Sequence, residues 1–174
     1  MIEFQKIDKK VIYLQSYRGI IVIQYRIQAN SSVPFKDEEL LAELINNEIF
    51  RNAFIWDEAT EYEHGPFSIS RIYPNSYKNL TYDQLSNEFS KIANDSYFES
   101  LTSEMESEIK VLLREIAPAN NFFKLELEIR GNLLPKPDRS HYHHDYSPIY
   151  WEFVEFIAID RPSNLLYMMV FLYE

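Results

Sequence analysis

Between Phe122 and Arg130 the chain reads FFKLELEIR, in which Phe123, Leu125, Leu127 and Ile129 alternate strictly with Lys124, Glu126, Glu128 and Arg130. Successive side chains on a strand point to opposite faces, so this alternation predicts a strand with one apolar and one charged face. Strands of a parallel sheet are covered on both sides and read as unbroken apolar runs. A wet face therefore predicts an antiparallel sheet.

Other segments supply partners for that strand. Residues 11–15 and 20–28 are β-branched and aromatic, with Gly19 in the link SYRG between them, and predict a hairpin in which Ile21, Ile23, Tyr25 and Ile27 share a face. Residues 149–159 and 165–173 predict a second hairpin closed by DRPSN. Helical spacing appears in Leu41, Leu44, Ile45 and Ile49, predicting a helix from Asp37 to about Phe54. Thr81 with Gln84 forms a capping box ahead of Leu85, Phe89, Ile92 and Ala93. Ser103 with Glu106 forms another ahead of Ile109, Leu112 and Ile116, so 82–116 is either two helices or one long bent one. A short strand is expected near FSISRIY, and GNLLPKPDRSHYHHDYSP (131–148) is expected to be a long loop. The resulting expectation is an α+β domain: an antiparallel sheet of about five to six strands with two to three helices packed on one face.

The 174 residues are enough for one core, and only 3 glycines argue against a loop-dominated chain, so residues 1–174 are read as a single domain. The absence of cysteine excludes disulfides, thiolate nucleophiles and cysteine-based zinc sites. The opening MIEFQKIDKK alternates charged and apolar residues, which predicts no secretory signal and a cytoplasmic location. Leu165–Tyr173, the longest strongly apolar run, is about half the length a membrane-spanning helix needs and reads as a buried strand.

The net charge of −10 is unevenly placed. Residues 1–36 sum to +4, residues 37–63 to −8 and residues 83–108 to −6. Two acidic helical surfaces are thus expected, repelling nucleic acid and anionic lipid and attracting basic proteins. The basic start of the chain carries no RNA-binding signature, so no nucleic-acid partner is expected.

With glycine only at 19, 65 and 131, neither a nucleophile elbow nor a phosphate-cradling loop can be built, and no catalytic residue is assigned. His141, His143 and Asp145, with His144, form one cluster suited in type and spacing to a divalent metal, and an enzyme using this loop is the second reading. No partner motif accompanies the cluster, so no metal or cofactor is assigned. Glu61, Glu63 and His64 form a weaker acid–base cluster. Tyrosines crowd two connections: Tyr62, Tyr73, Tyr77 and Tyr82 in one, and Tyr142, Tyr146, Tyr150 beside Trp151 in the other. Tyrosine suits interfaces because it buries much area at low entropic cost.

In size, charge and aromatic content, over the whole chain and through no motif, the sequence resembles the small acidic immunity proteins of bacterial toxin systems. The resemblance implies an inhibitor that neutralises a basic, nuclease-type toxin by placing carboxylates where the enzyme expects phosphates. On that reading Glu39, Glu43, Asp57, Glu61 and Glu63 steer and pair with the partner, and Tyr62, Tyr73 and Tyr77 anchor it. A homo-oligomeric assembly protein using the tyrosine-rich surface is the third reading.

Overall fold

The computed structural model describes residues 2–29, 35–52, 54, 63–130 and 150–173. Among these residues the strands are β1 (Ile2–Gln15), β2 (Arg18–Ala29), β3 (Glu63–His64), β4 (Phe67–Ser68), β5 (Tyr77–Leu80), β6 (Asn121–Leu125), β7 (Ile129–Arg130), β8 (Glu152–Asp160) and β9 (Leu165–Tyr173). The α-helices among them are α1 (Asp37–Asn46), α2 (Tyr82–Ala93) and α3 (Ser103–Ile116).

The main sheet runs in the order β1-β2-β9-β8-β6-β5, every neighbouring pair antiparallel, and β7 adds a short second pairing to β8. The α+β class and the antiparallel sheet agree with the sequence reading. The C-terminal hairpin β8–β9 lies at the centre, which is why its strands are apolar on both sides: both are buried along almost their whole length.

The helices do not gather on one face, as the alternation in 122–130 had predicted. Leu40, Leu41, Leu44 and Ile45 of α1 pack with Ile21, Ile23, Tyr25, Phe153, Ile157 and Met168 on one side of the sheet. Leu85, Phe89 and Ile92 of α2 and Ile109, Leu112 and Ile116 of α3 pack with Ile20, Val22, Val154, Phe156 and Phe171 on the other. The predicted single strand over 122–130 is also interrupted. Phe122 and Phe123 are both buried, one on each face, and β6 ends at Leu125, with pairing to β8 taken up again only by β7 at Ile129.

Helix ends follow local chemistry more closely. Thr81 and Gln84 form the expected reciprocal cap of α2, at 3.2 and 2.8 Å. α3 is a separate helix capped by Thr102, whose hydroxyl accepts from Met105 N–H at 3.3 Å, one residue ahead of the predicted Ser103. α1 stops at Asn46 rather than near Phe54, and a 3-10 turn at Glu48–Phe50 follows. The predicted strand near FSISRIY shrinks to β4, followed by a 3-10 turn. The expected 131–148 loop, with His141, His143, His144 and Asp145, lies outside the described residues.

Candidate functional site

α1 begins with Asp37, Glu38 and Glu39, acids that suit the positive end of its dipole, and Glu39 also accepts the Lys36 backbone N–H at 2.9 Å. Its apolar stripe is committed to the core, so the remaining positions must face outward. Asp37 is neutralised by Arg161, 2.5 Å away in the β8–β9 turn. Glu38, Glu39, Glu43 and Glu48 are exposed, and among the described residues no lysine or arginine reaches them.

The 3-10 turn Pro74–Ser76 packs against α1 and brings Tyr73 beside this acidic helix. Tyr73 is 55% exposed, yet its hydroxyl donates to the Ser70 carbonyl at 2.8 Å and its backbone N–H donates to Ser76 Oγ at 3.1 Å. A large ring held in one place loses little entropy when a partner covers it.

Three predicted surface residues, Glu39, Glu43 and Tyr73, therefore lie on neighbouring elements. Two others do not belong to the surface. Glu63 is 3% exposed and Tyr77 is 7% exposed, so neither steers nor anchors a partner. Tyr77 sits inside because β5 pairs with β6 and its inward side faces β8; its hydroxyl donates to Glu155 at 2.5 Å. Asp57, Glu61 and Tyr62 lie outside the described residues. Of the second tyrosine group, Tyr150 is buried and Trp151 is half exposed.

Beneath α1 the structure holds a polar constellation that spacing along the sequence concealed. His64 does not use its neighbour Glu63; its Nε2 meets Glu155, 91 positions away at the middle of β8, and its Nδ1–H donates to the Phe50 carbonyl at 2.5 Å. Both side chains are fully buried. The imidazole stacks on Phe50 at 3.6 Å between centroids and 5° between planes, with Phe54 and Phe153 edge-on. Because Nδ1 carries a hydrogen for Phe50, one proton lies between Nε2 and the carboxylate, whichever of them holds it. Tyr77 satisfies the second carboxylate oxygen. Such a dyad is chemically able to pass a proton, but both side chains are closed off from solvent. Its role here is to fasten the segment around Phe50 and His64 to the sheet. The signal for it in the sequence was Glu155 itself, a carboxylate sharing the inward face with Phe153 and Ile157 and interrupting the otherwise apolar stretch Phe153–Ile159.

The same carboxylate has a consequence at high pH. Burial, and then the charge of Glu155, push the phenols of Tyr25 and Tyr77 well above their usual range. The unfolded chain releases these protons near pH 10 while the fold still holds them, so their stabilising effect is complete below that pH and is lost as pH rises through the folded values. Unfolding free energy is expected to fall above about pH 10 by roughly 1.4 kcal/mol per pH unit for each tyrosine. Urea titrations at pH 8, 10 and 11 measure this; a flat profile contradicts it.

A second buried ion pair lies under α2. The Arg18 guanidinium donates to both oxygens of Glu152, at 2.8 and 3.0 Å, and to the Ile92 and Ala93 carbonyls, at 2.7 and 3.4 Å, while lying 3.6 Å over the Phe98 ring. Nearby, at the β5–β6 edge, a polar groove of about 420 Å³ contains Lys124 between Glu88 at 3.3 Å and Glu128 at 2.7 Å. Burial pulls the Glu88 carboxyl upward, but the ammonium groups of Lys91 and Lys124 outweigh it and hold it below the usual range. The groove's lysines and carboxylates thus largely neutralise one another.

Among the described residues no cluster of three or more histidine or acidic side chains is arranged to hold a metal ion, and no helix is long and apolar enough to cross a membrane. Compared with known proteins, the chain matches no family model, no curated protein and no solved structure.

Proposed function

We propose that the chain is a binding module for a basic protein, acting as an inhibitor of the immunity type that neutralises a nuclease-like toxin by direct contact. The observation that carries this reading is the outer side of α1. Glu38, Glu39 and Glu43 stand exposed with no cation beside them among the described residues, on the helix against which the 3-10 turn that follows Tyr73 packs. Unpaired surface carboxylates accelerate encounter with a basic partner, and a pre-positioned aromatic side chain retains it.

The test is an affinity capture with the tagged chain from its source cells at low and at high salt, followed by identification of the bound protein and assay of its nuclease activity. A single basic nuclease captured in near-equal amount, and inhibited when bound, is the expected result. With that partner, Glu39→Lys with Glu43→Lys is expected to slow association by about ten-fold at low salt, and Tyr73→Ala to speed dissociation. Recovery of the chain alone at both salts, or a partner indifferent to all three substitutions, overturns the proposal. Bound metal in protein purified without chelator would instead favour an enzyme using His141, His143 and Asp145.

A further inference from the structure

The edge strand β1 carries a surface of opposite character. The ladder to β2 pairs Lys6 with Tyr25, Lys9 with Ile23, Val11 with Ile21 and Tyr13 with Gly19, so all four side chains share the face of the sheet that α1 covers elsewhere. Here that face is open: Lys6, Lys9, Val11 and Tyr13 are exposed, Tyr13 by 72%. Among the described residues no carboxylate reaches Lys6 or Lys9, whereas Lys10, on the other face, pairs with Glu115. Beside them is an apolar groove of about 310 Å³, with Gly19, Ile21 and Leu172 as floor and Tyr13, Tyr17 and Phe54 as walls. Gly19 keeps the floor low, since a Cβ there would lie 2.9 Å from the Ile12 carbonyl oxygen and 3.3 Å from Val11.

The backbone is available as well. The Lys9 N–H donates to the Asp8 carboxylate at 2.9 Å, so it points away from β2. In an antiparallel ladder, groups turned to the partner alternate with groups turned away, which makes Val11 and Tyr13 the next residues presenting N–H and C=O outward. Register shifts at Lys6/Asp8 and Tyr13/Gln15 bound this regular stretch.

We propose that the outer edge of β1 over Lys9–Tyr13 takes an extended acidic segment of a partner protein as an added antiparallel strand. Its backbone pairs with Val11 and Tyr13, its carboxylates meet Lys6 and Lys9, and an apolar side chain enters the groove between Tyr13 and Tyr17. Alternate positions of one added strand face the same side, so an antiparallel partner fits this edge with apolar residues at two alternate positions, opposite Tyr13 and Val11, and acids at the next two alternate positions, opposite Lys9 and Lys6. Charge complementarity selects an acidic occupant, and the outward amide and carbonyl groups select a peptide over a nucleic acid.

The probe is the fluorescein-labelled peptide Thr-Phe-Thr-Val-Thr-Glu-Thr-Glu, whose Phe, Val and two Glu share one strand face, titrated by anisotropy against the full chain. Saturable binding is expected, weakened at least about ten-fold by Lys6→Glu with Lys9→Glu. Val11→Pro is expected to do the same, because proline removes an outward N–H that the ladder to β2 does not use and is tolerated on edge strands. Circular dichroism checks the fold of each variant, and the lysine pair, being exposed, gives a reading even if Val11→Pro fails to fold. Glu39→Lys with Glu43→Lys should leave peptide binding unchanged, separating this surface from that of α1. The proposal is overturned by no binding at millimolar peptide, by equal binding of a lysine-for-glutamate peptide, by tighter binding of oligothymidylate, or by a dimer in sedimentation that Val11→Pro abolishes.

Discussion

Replacing Glu155 by methionine is expected to cost about 3–5 kcal/mol of unfolding free energy, while replacing it by glutamine costs about 1. Methionine fills a similar volume but accepts nothing, leaving the Tyr77 hydroxyl and His64 Nε2 without a partner inside the core, where neither meets water. Glutamine keeps an oxygen for Tyr77 and offers an N–H to a neutral Nε2, while Nδ1–H still donates to Phe50. The contrast therefore isolates the hydrogen-bond inventory from packing. Urea unfolding of both variants measures it. Equal losses would mean that shape, and not the shared proton, holds the segment around His64 to β8. A double replacement with His64→Phe, which suits the aromatic box of Phe50, Phe54 and Phe153, should recover part of the methionine loss.

Arg18→Met is expected to be comparably damaging, at about 3–5 kcal/mol, because it takes the guanidinium away from the buried Glu152 carboxylate and also uncovers the carbonyls of Ile92 and Ala93 that end α2. A cation at that helix terminus also complements its dipole. The double variant Arg18→Met/Glu152→Met removes both charges and is expected to lie within about 2 kcal/mol of the native chain, since a buried ion pair contributes little beyond what an apolar pair of similar volume supplies. Unfolding of the single and double variants, with amide exchange in the last turn of α2, separates the two costs. A double variant as unstable as the single one would show that the helix terminus, and not the carboxylate that loses its guanidinium, carries the loss.

These two residues also show where the sequence stopped being informative. Period-two and period-3.6 patterns report which side of an element is apolar, and they placed the hairpins, the caps of α2 and the class of the sheet. They do not report how many layers cover a sheet. Lys124, Glu126 and Glu128 read as a wet strand face, yet Lys124 is largely covered because Glu88 of α2 and Glu128 meet it there. Arg18 read as a turn residue and proved to be a nearly inaccessible cation that ends a helix 75 positions away.

The candidate surface divided in the same manner. Glu39 and Glu43 were legible because the apolar stripe of α1 dictates which side faces out. Tyr73 and Tyr77 were not distinguishable along the chain, since they are four residues apart in one irregular segment; pairing of β5 with β6 turned Tyr77 inward and left Tyr73 on the 3-10 turn. Glu63 looked like surface acid and is buried, while His64 found its carboxylate on a strand 91 positions later.

What the sequence determined by itself was local: strand and helix identity, antiparallel pairing, the absence of thiol chemistry, and the acidic outer side of α1. Those follow from side-chain periodicity, turn chemistry and charge, which act over a few residues. What only the tertiary structure decided was the strand order, the placement of helices on both faces, and the burial of Arg18–Glu152 and His64–Glu155–Tyr77. Each of these depends on contacts between segments far apart in the chain, where the gain from covering apolar surface outweighs the local preference of a charged side chain for water, provided that every buried charge and polar atom finds its partner.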